Sequence, residues 1–320
     1  MTCLKVISPG VFSQIQDRGR YGYAHYGVPA SGPMDPVASR LANAVVGNDP
    51  NAAVVELTAS GGQYLIMEGS CLLCIGGDVP ASANGVMLAP WVSHRLKAGS
   101  ELRLGIMRQG MRAYLAFAGG IDVEPVLGSR ATLTRAGLGG WHGRALQKGD
   151  ELPLLSPAGS RGRRYCSHHL LERLYPQGPL AVIAGPQQDA FPPSAFYDFT
   201  HSRYRISAQA DRMGYRLAGA PLSHLRGADM VSDAVVPGSI QVPGNGQPIV
   251  ALHDRKTTGG YPKIATIISA DLPRLGQMRP GQGLSFMAVD LNEAAIRAAR
   301  LRQGLDLCLQ QIESTETPWS

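Results

Sequence analysis

The apolar stretches of this chain are short, and Gly, Pro, Asn or Asp closes nearly all of them. This punctuation constrains the fold more than any other feature. Tyr64 to Met67, Leu72 to Ile75, Leu102 to Met107 and Ala113 to Ala118 read as strands in the first half. Leu180 to Ala184, Ser239 to Val242, Pro248 to Leu252, Ile264 to Ile268 and Leu284 to Val289 read so in the second. Many short strands separated by turn residues predict a mainly β protein of barrels or sandwiches. Gly and Pro together make up about 19% of the 320 residues, against about 12% in an average chain. Pro243-Gly244-Asn245-Gly246 predicts a hairpin turn with positive φ between two of the strands.

Helices are few but clearly signalled. Asp35 is placed to cap a helix with Pro36 at its first position, Val37, Leu41 and Val45 on one face, and Gly47 beyond its end. Asp290 and Glu293 predict a capping box opening a C-terminal packing helix. Ile296, Leu301, Leu305 and Leu309 would face a core, and the tail beyond would fray. The expected division is an N-terminal β-rich half at 1–155, a basic linker at 156–177, a C-terminal barrel half at 178–295 and a helical tail at 296–320. Arg161, Arg163 and Arg164 make the linker basic and predict that it is exposed.

Charge and cysteine content exclude several classes. The net charge of +6 is dispersed apart from the cluster Arg161, Arg163 and Arg164, and no aromatic residue interleaves in the segment Pro157 to Arg164, so a nucleic-acid partner is not expected. No apolar run reaches the length of a membrane helix, so no membrane partner is expected either. The odd set Cys3, Cys71, Cys74, Cys166 and Cys308, with no basic-then-apolar leader, fits a reducing cytoplasmic setting. Cys71 and Cys74 fall in one strand pattern that sends them to opposite faces, which favours packing over metal or redox chemistry. There is no P-loop, no H-E-x-x-H and no G-x-S-x-G, so no cofactor is bound by a recognisable motif and no metal site is expected.

Two polar groups could carry chemistry. Gln16, Asp17 and Arg20 stand in a Gly-rich loop, followed by Ser31 and Asp35, and could hold an amide, a urea or a carboxylate. Asp17 and Arg20 could equally form a turn-stabilising ion pair. The second group is Gln241 with Asp254, Arg255, Thr257, Thr258, Gly259, Gly260, Tyr261 and Lys263. Thr257 to Gly260 could turn successive N–H groups inward as an anion nest, or serve as a polar turn between strands. The two groups are expected to line one cleft, since neither alone has enough convergent polar groups to orient a ligand. No catalytic residue is assigned. Asp211 to Leu217 reads as an architectural turn.

The ordered motifs together resemble the biotin-dependent carboxyltransferase family, also named after the second subunit of allophanate hydrolase. They are Gln16-Asp17 with Gly19-Arg20, Ser31-Gly32 with Met34-Asp35, Leu41-Ala42-Asn43, Val46-Gly47-Asn48, Glu56, Ala118 to Asp122, Val126 to Arg130 and Gly139-Gly140. Asp211 to Leu217, Gly238 to Pro243, Gly246 to Val250 and Thr257 to Pro262 continue the match. Lys256, Pro33 and Ser232-Asp233-Ala234 depart from the family pattern. The resemblance implies cyclophilin-like β barrels. It also implies that the chain acts as part of a complex, most like the C subunit of 5-oxoprolinase, which works with subunits A and B to open 5-oxo-L-proline to L-glutamate with ATP used by the complex. In that case the chain is not expected to be active alone. One alternative is the carboxyltransferase part of a urea or amide carboxylase, with biotin on a separate carrier. The other is a non-catalytic regulator binding a histidine-kinase inhibitor subunit.

Overall fold

The computed structural model describes residues 2–156 and 162–318. The chain forms two compact units. The first comprises described residues of 2–20, 31–174 and 304–318, and the second residues 21–30 and 175–303.

Two antiparallel sheets build the first unit. One contains β1 (Thr2–Ser8), β4 (Gln63–Ile66), β6 (Ala81–Ala83), β7 (Val86–Met87), β9 (Glu101–Leu104) and β11 (Glu151–Leu154), in the order β11-β1-β4-β9-β6-β7. The other contains β2 (Phe12–Gln16), β3 (Val54–Thr58), β5 (Ser70–Gly76), β8 (Ser93–Lys97) and β10 (Arg112–Phe117), in the order β2-β3-β10-β5-β8. Strand alternation divides the second sheet into an apolar and a polar-containing face. Ile15, Val55, Leu57, Leu73, Ile75, Ala113, Leu115 and Phe117 enter a core shared with Leu4, Val6, Tyr64 and Leu102 of the first sheet. The opposite face carries Gln14, Gln16, Glu56, Arg112 and Tyr114, all buried.

Helix α1 (Pro36–Val45) covers that opposite face, packing on β5 and β10. Its start follows the sequence signal: Asp35 Oδ1 accepts from the N–H groups of Val37 at 3.1 Å and Ala38 at 3.0 Å, and Gly47 has φ +74°. The loop before it is fastened to the sheet. Glu56 Oε2 accepts from Met34 N–H at 2.7 Å and from the Tyr114 hydroxyl at 3.0 Å, while the Tyr114 oxygen accepts from Asp35 N–H at 2.8 Å. Cys71 and Cys74 behave as their spacing predicts: Cys71 lies in the shared core, Cys74 is buried outside it. Burial pushes the Cys71 thiol up to about 12 and raises that of Cys74 as well.

The second unit contains a closed seven-stranded barrel. Its strands are β12 (Leu180–Ala184), β13 (Arg203–Ala210), β14 (Gly214–Gly219), β16 (Ser239–Gln241), β17 (Ile249–Ala251), β19 (Lys263–Ile267) and β20 (Gly283–Ala288), in the order β12-β19-β16-β17-β14-β13-β20. Parallel pairing of β12 with β20 closes it; every other pairing is antiparallel. The two-residue strands β15 (Asp233–Ala234) and β18 (Thr258–Gly259) pair separately. The expected hairpin joins β16 to β17, with Gly246 N–H donating to the Pro243 carbonyl at 2.9 Å. Only Gly246 of the Asn-Gly pair has positive φ, because the turn spans Pro243 to Gly246 rather than centring on Asn245-Gly246. The other α-helices among the described residues are α2 (His168–Leu174), α3 (Ala195–His201), α4 (Leu272–Gly276) and α5 (Leu291–Ser314). Phe199 of α3 stacks on Phe286 of β20 with ring centroids 4.5 Å apart.

Four expectations need correction. The buried positions of α5 are Leu305, Cys308 and Ile312, while Ile296 is exposed and Leu301 and Leu309 are only partly covered. Asp290 accepts from Glu293 N–H at 2.7 Å, but the Glu293 carboxylate turns to Arg297 at 2.7 Å, so the capping box forms by half. Nor does the tail fray: Arg163 and Thr317 exchange backbone hydrogen bonds, and Glu316 pairs with Arg164. Arg164 is therefore buried rather than exposed, because the C-terminal segment supplies its counter-ion. Residues 157–161 of the expected basic linker, Arg161 among them, lie outside the described residues.

Replacing Tyr114 by Phe removes one donor to Glu56 and the acceptor of Asp35 N–H, both buried. Tyr114→Phe should destabilise the first unit by about 1–3 kcal/mol, seen as a lower urea midpoint. Trp91 and Trp141, both in that unit, provide the fluorescence signal. An unchanged midpoint would contradict the anchoring role of the hydroxyl.

Candidate functional site

In the first unit the polar loop after β2 turns inward. Gln16, the last residue of β2, uses both ends of its buried amide: Nε2 donates to the Thr132 carbonyl and Oε1 accepts from Gly32 N–H, each at 3.0 Å. The Asp17 carboxylate accepts from Gly19 N–H at 2.9 Å, the Ser129 hydroxyl at 2.5 Å and Arg130 N–H at 2.6 Å. Arg20, only 1% exposed, donates to the Ala131 carbonyl and, at 3.4 Å, to Ser31 Oγ. Burying a guanidinium requires such acceptors, since an isolated charge in the interior is strongly disfavoured.

This geometry explains why residues so far apart in sequence recur in one motif set. Ser129-Arg130 receives Asp17, and the turn at Gly139 makes room for Arg20. Gly139 has φ +64°, and a Cβ there would lie 2.2 Å from the Ala131 carbonyl oxygen and 2.6 Å from Arg20 Nη2. Gln16, Asp17, Arg20, Ser31 and Asp35 thus hydrogen-bond within their own unit. Residues 129–131 hold both: the Ser129 hydroxyl and Arg130 N–H donate to Asp17, and the Ala131 carbonyl accepts from Arg20.

The second group divides in two. Asp254 forms a buried ion pair with Arg212, whose Nε donates to Oδ2 at 2.8 Å and Nη2 to Oδ1 at 3.2 Å. Arg255 lies partly buried, with Nε donating to the Val235 carbonyl at 2.8 Å. The Thr257 carbonyl accepts from Val235 N–H at 2.9 Å, which starts the β15–β18 pairing. These contacts make the segment after β17 an anchor for residues 233–235. The nest reading is corrected: neither Gly259 nor Gly260 has the positive φ that alternating handedness requires. The short ladder with β15 holds Thr258 and Gly259 extended instead.

The remaining members surround Lys263. Gln241 and Lys263 are cross-strand partners on β16 and β19, and Gln241 Nε2 donates to the Tyr261 carbonyl at 3.3 Å. A Cβ at Gly259 would lie 2.5 Å from Gln241 Nε2, so a side chain there would displace that amide. The Lys263 ammonium donates to Asp233 Oδ2 at 2.6 Å. Gln187 spans the pair: its Nε2 donates to the same Oδ2 at 3.0 Å, and its Oε1 accepts from Lys263 N–H at 3.1 Å. The lysine side chain is 4% exposed and the aspartate 46%. Hydrogen bonds from Lys263, Ala234 N–H and Gln187 hold the Asp233 carboxyl below its ordinary value.

Sequence reading missed Gln187 and Asp233 as site residues. They stand 76 and 30 positions before Lys263 and belong to no local motif. The one available signal was the departure at Ser232-Asp233-Ala234. Among the described residues no group of His, Cys, Asp or Glu could hold a metal ion, and no helix is long and apolar enough to cross a membrane.

Residues 26–288 match the family model of the carboxyltransferase domain, subdomain A and B. The chain belongs to this family. It is 39% identical over 297 residues to the 5-oxoprolinase C subunit of Escherichia coli K12, covering 91% of this chain and 93% of that protein. It is 34% identical to the 5-oxoprolinase C subunit of Haemophilus influenzae, covering 93% and 94% respectively. The crystal structure of the urea amidolyase of K. lactis superposes with a TM-score of 0.88 at 29% identity; the match covers 95% of this chain but 20% of that one. For this carboxyltransferase-domain protein, the mainly β architecture with its closed barrel and C-terminal helix agrees with the expected fold class.

The Asp233–Lys263 pair has a direct check. In Lys263→Met the Asp233 carboxyl should titrate at higher pH than in the parent chain, because its strongest hydrogen-bond donor is gone. Carboxylate 13C shifts across an acid titration would follow it, and an unmoved titration would contradict the pair.

Proposed function

We propose that this chain is the C subunit of an ATP-dependent 5-oxoprolinase. One observation carries the reading: likeness to the 5-oxoprolinase C subunit extends over 93% of the Escherichia coli protein's own length, whereas the chain spans about a fifth of the urea amidolyase. In this reading subunits A and B are partners, the chain is inactive alone, and ATP is used by the complex. A lactam amide is resonance-stabilised; transfer of the γ-phosphoryl group of ATP to its oxygen, with release of ADP, makes the carbonyl carbon electrophilic, and addition of water with cleavage of the ring C–N bond and loss of phosphate gives glutamate. The protein's share is to position the lactam and stabilise charge as it develops.

Within that function the groups differ in role. Gln241, Tyr261 and Lys263, together with Thr258, Gly259 and Gly260, would face substrate. Asp254, Arg255 and Thr257 would hold that segment in place. Gln16, Asp17, Arg20, Ser31 and Asp35 would set the shape of the loop they occupy. A second reading is supported by the family model itself and by the urea amidolyase structure. In it the chain is the carboxyltransferase part of a urea or amide carboxylase, receiving carboxylate from biotin on a separate carrier.

The test is reconstitution. The chain mixed with candidate subunits A and B, ATP and 5-oxo-L-proline should release glutamate, and omission of any one protein should abolish release. Glutamate formation by A and B alone would sink the first reading. Carboxyl transfer to urea from a supplied carboxybiotin carrier, with no glutamate formed, would favour the second.

A further inference from the structure

The cluster around Lys263 is electrically balanced, with a nearly enclosed ammonium beside a half-exposed carboxylate. An ammonium has three N–H donors, and a carboxylate about four acceptor positions. Asp233 takes one donor of Lys263. Three of its own positions are filled: Lys263 and Gln187 on Oδ2, and Ala234 N–H on Oδ1 at 2.7 Å. One acceptor position on Oδ1 remains, on the half-exposed member of the pair.

Charge argues against an anion as the partner of this cluster. An anion approaching the ammonium also approaches the Asp233 carboxylate 2.6 Å away, which offsets much of the attraction. A neutral group with a C=O and an N–H on the same side satisfies both residues at once. Lactams and urea present that edge. An ordinary peptide bond does not, since its trans geometry points the N–H and C=O in opposite directions. The site would therefore exclude linear peptides by shape.

We propose that Lys263 and Asp233 together read the cis-amide edge of a lactam or urea. The Lys263 ammonium donates to the carbonyl oxygen and Asp233 Oδ1 accepts from the amide N–H. Gln187 is a positioning residue: it ties the carboxylate to the backbone of the lysine it neutralises. Gln241 and the bare backbone of Gly259 border the pair. The assignment of 5-oxoproline as the natural lactam rests on the proposed function; recognition of the amide edge does not.

The two are tested separately. The Ala234 amide N–H shares Oδ1 with the incoming ligand and is a built-in reporter. In 1H–15N spectra of the full chain, 2-pyrrolidinone and urea should move the Ala234 resonance, and N-methyl-2-pyrrolidinone, which lacks the N–H, should not. Asp233→Asn, which keeps an acceptor oxygen but loses the charge, should weaken the response to 2-pyrrolidinone. Equal responses to both lactams, or to neither, would overturn the proposal on the parent chain alone, whatever the fate of the variant. In the reconstituted complex Asp233→Asn should lower kcat/KM for 5-oxoproline about 10- to 100-fold, the loss expected for one charge-assisted hydrogen bond, and Asp233→Glu should recover part of it. An Asn variant within about twofold of the parent, far short of that loss, would also overturn it. A complex that releases no glutamate defeats the proposed function, while the amide titration still decides the site.

Discussion

A single buried carboxylate, Glu56, organises the first unit. It is fully enclosed, with Arg112 Nε 3.9 Å from Oε1, and its other oxygen gathers Met34 N–H and the Tyr114 hydroxyl. A buried carboxylate left without donors would be strongly disfavoured, so these contacts form together or the loop does not seat. Burial and the neighbouring Glu56 charge raise the Tyr114 hydroxyl well above its ordinary value, which keeps it a donor. Once Met34 and Asp35 are seated, α1 starts, and Ser31-Gly32 come within reach of Arg20 and Gln16. The family motifs at 16–20, 31–35, 56 and 129–140 are in this sense one structure.

The two polar groups answer different physical demands. In the first, Gln16 and Arg20 are buried, and their amide and guanidinium hydrogen-bond to backbone and side-chain groups of the same unit. Such a network fixes a loop. In the second, Asp254 and Arg212 pair in the interior in the same way, but the Asp233–Lys263 pair keeps one side open. A lysine almost without exposure, neutralised by a half-exposed aspartate, is the basis for the proposed recognition of an uncharged amide edge, whatever charge the rest of the ligand carries. Binding of that kind draws on direction rather than net charge, which suits a lactam whose amide must be oriented before it is activated.

Much of the fold was legible in the sequence, because its signals are local. Asp35-Pro36 and Gly47 bounded α1, Pro243 to Gly246 marked the hairpin, and strand periodicity separated Cys71 from Cys74. Where reading failed, the deciding interaction was distant. Apolar spacing placed Ile296 and Leu301 towards a core, whereas the contacts at Leu305, Cys308 and Ile312 set the buried stripe. Arg164 looked like a linker charge until the C-terminal Glu316 became its partner. Thr257 to Gly260 resembled a nest, yet pairing with residues 233–234 holds Thr258 and Gly259 extended. Gln187 and Asp233 carry no motif of their own; they became visible only when three separate segments met at one ammonium.

The most direct test is a crystal structure of the assembled complex with 5-oxo-L-proline bound. The lactam carbonyl oxygen should lie within hydrogen-bond distance of Lys263 Nζ and the ring N–H against Asp233 Oδ1, with Gln187 still bridging the pair. A lactam whose amide edge is held by other residues, with the Asp233–Lys263 pair untouched, would contradict this recognition.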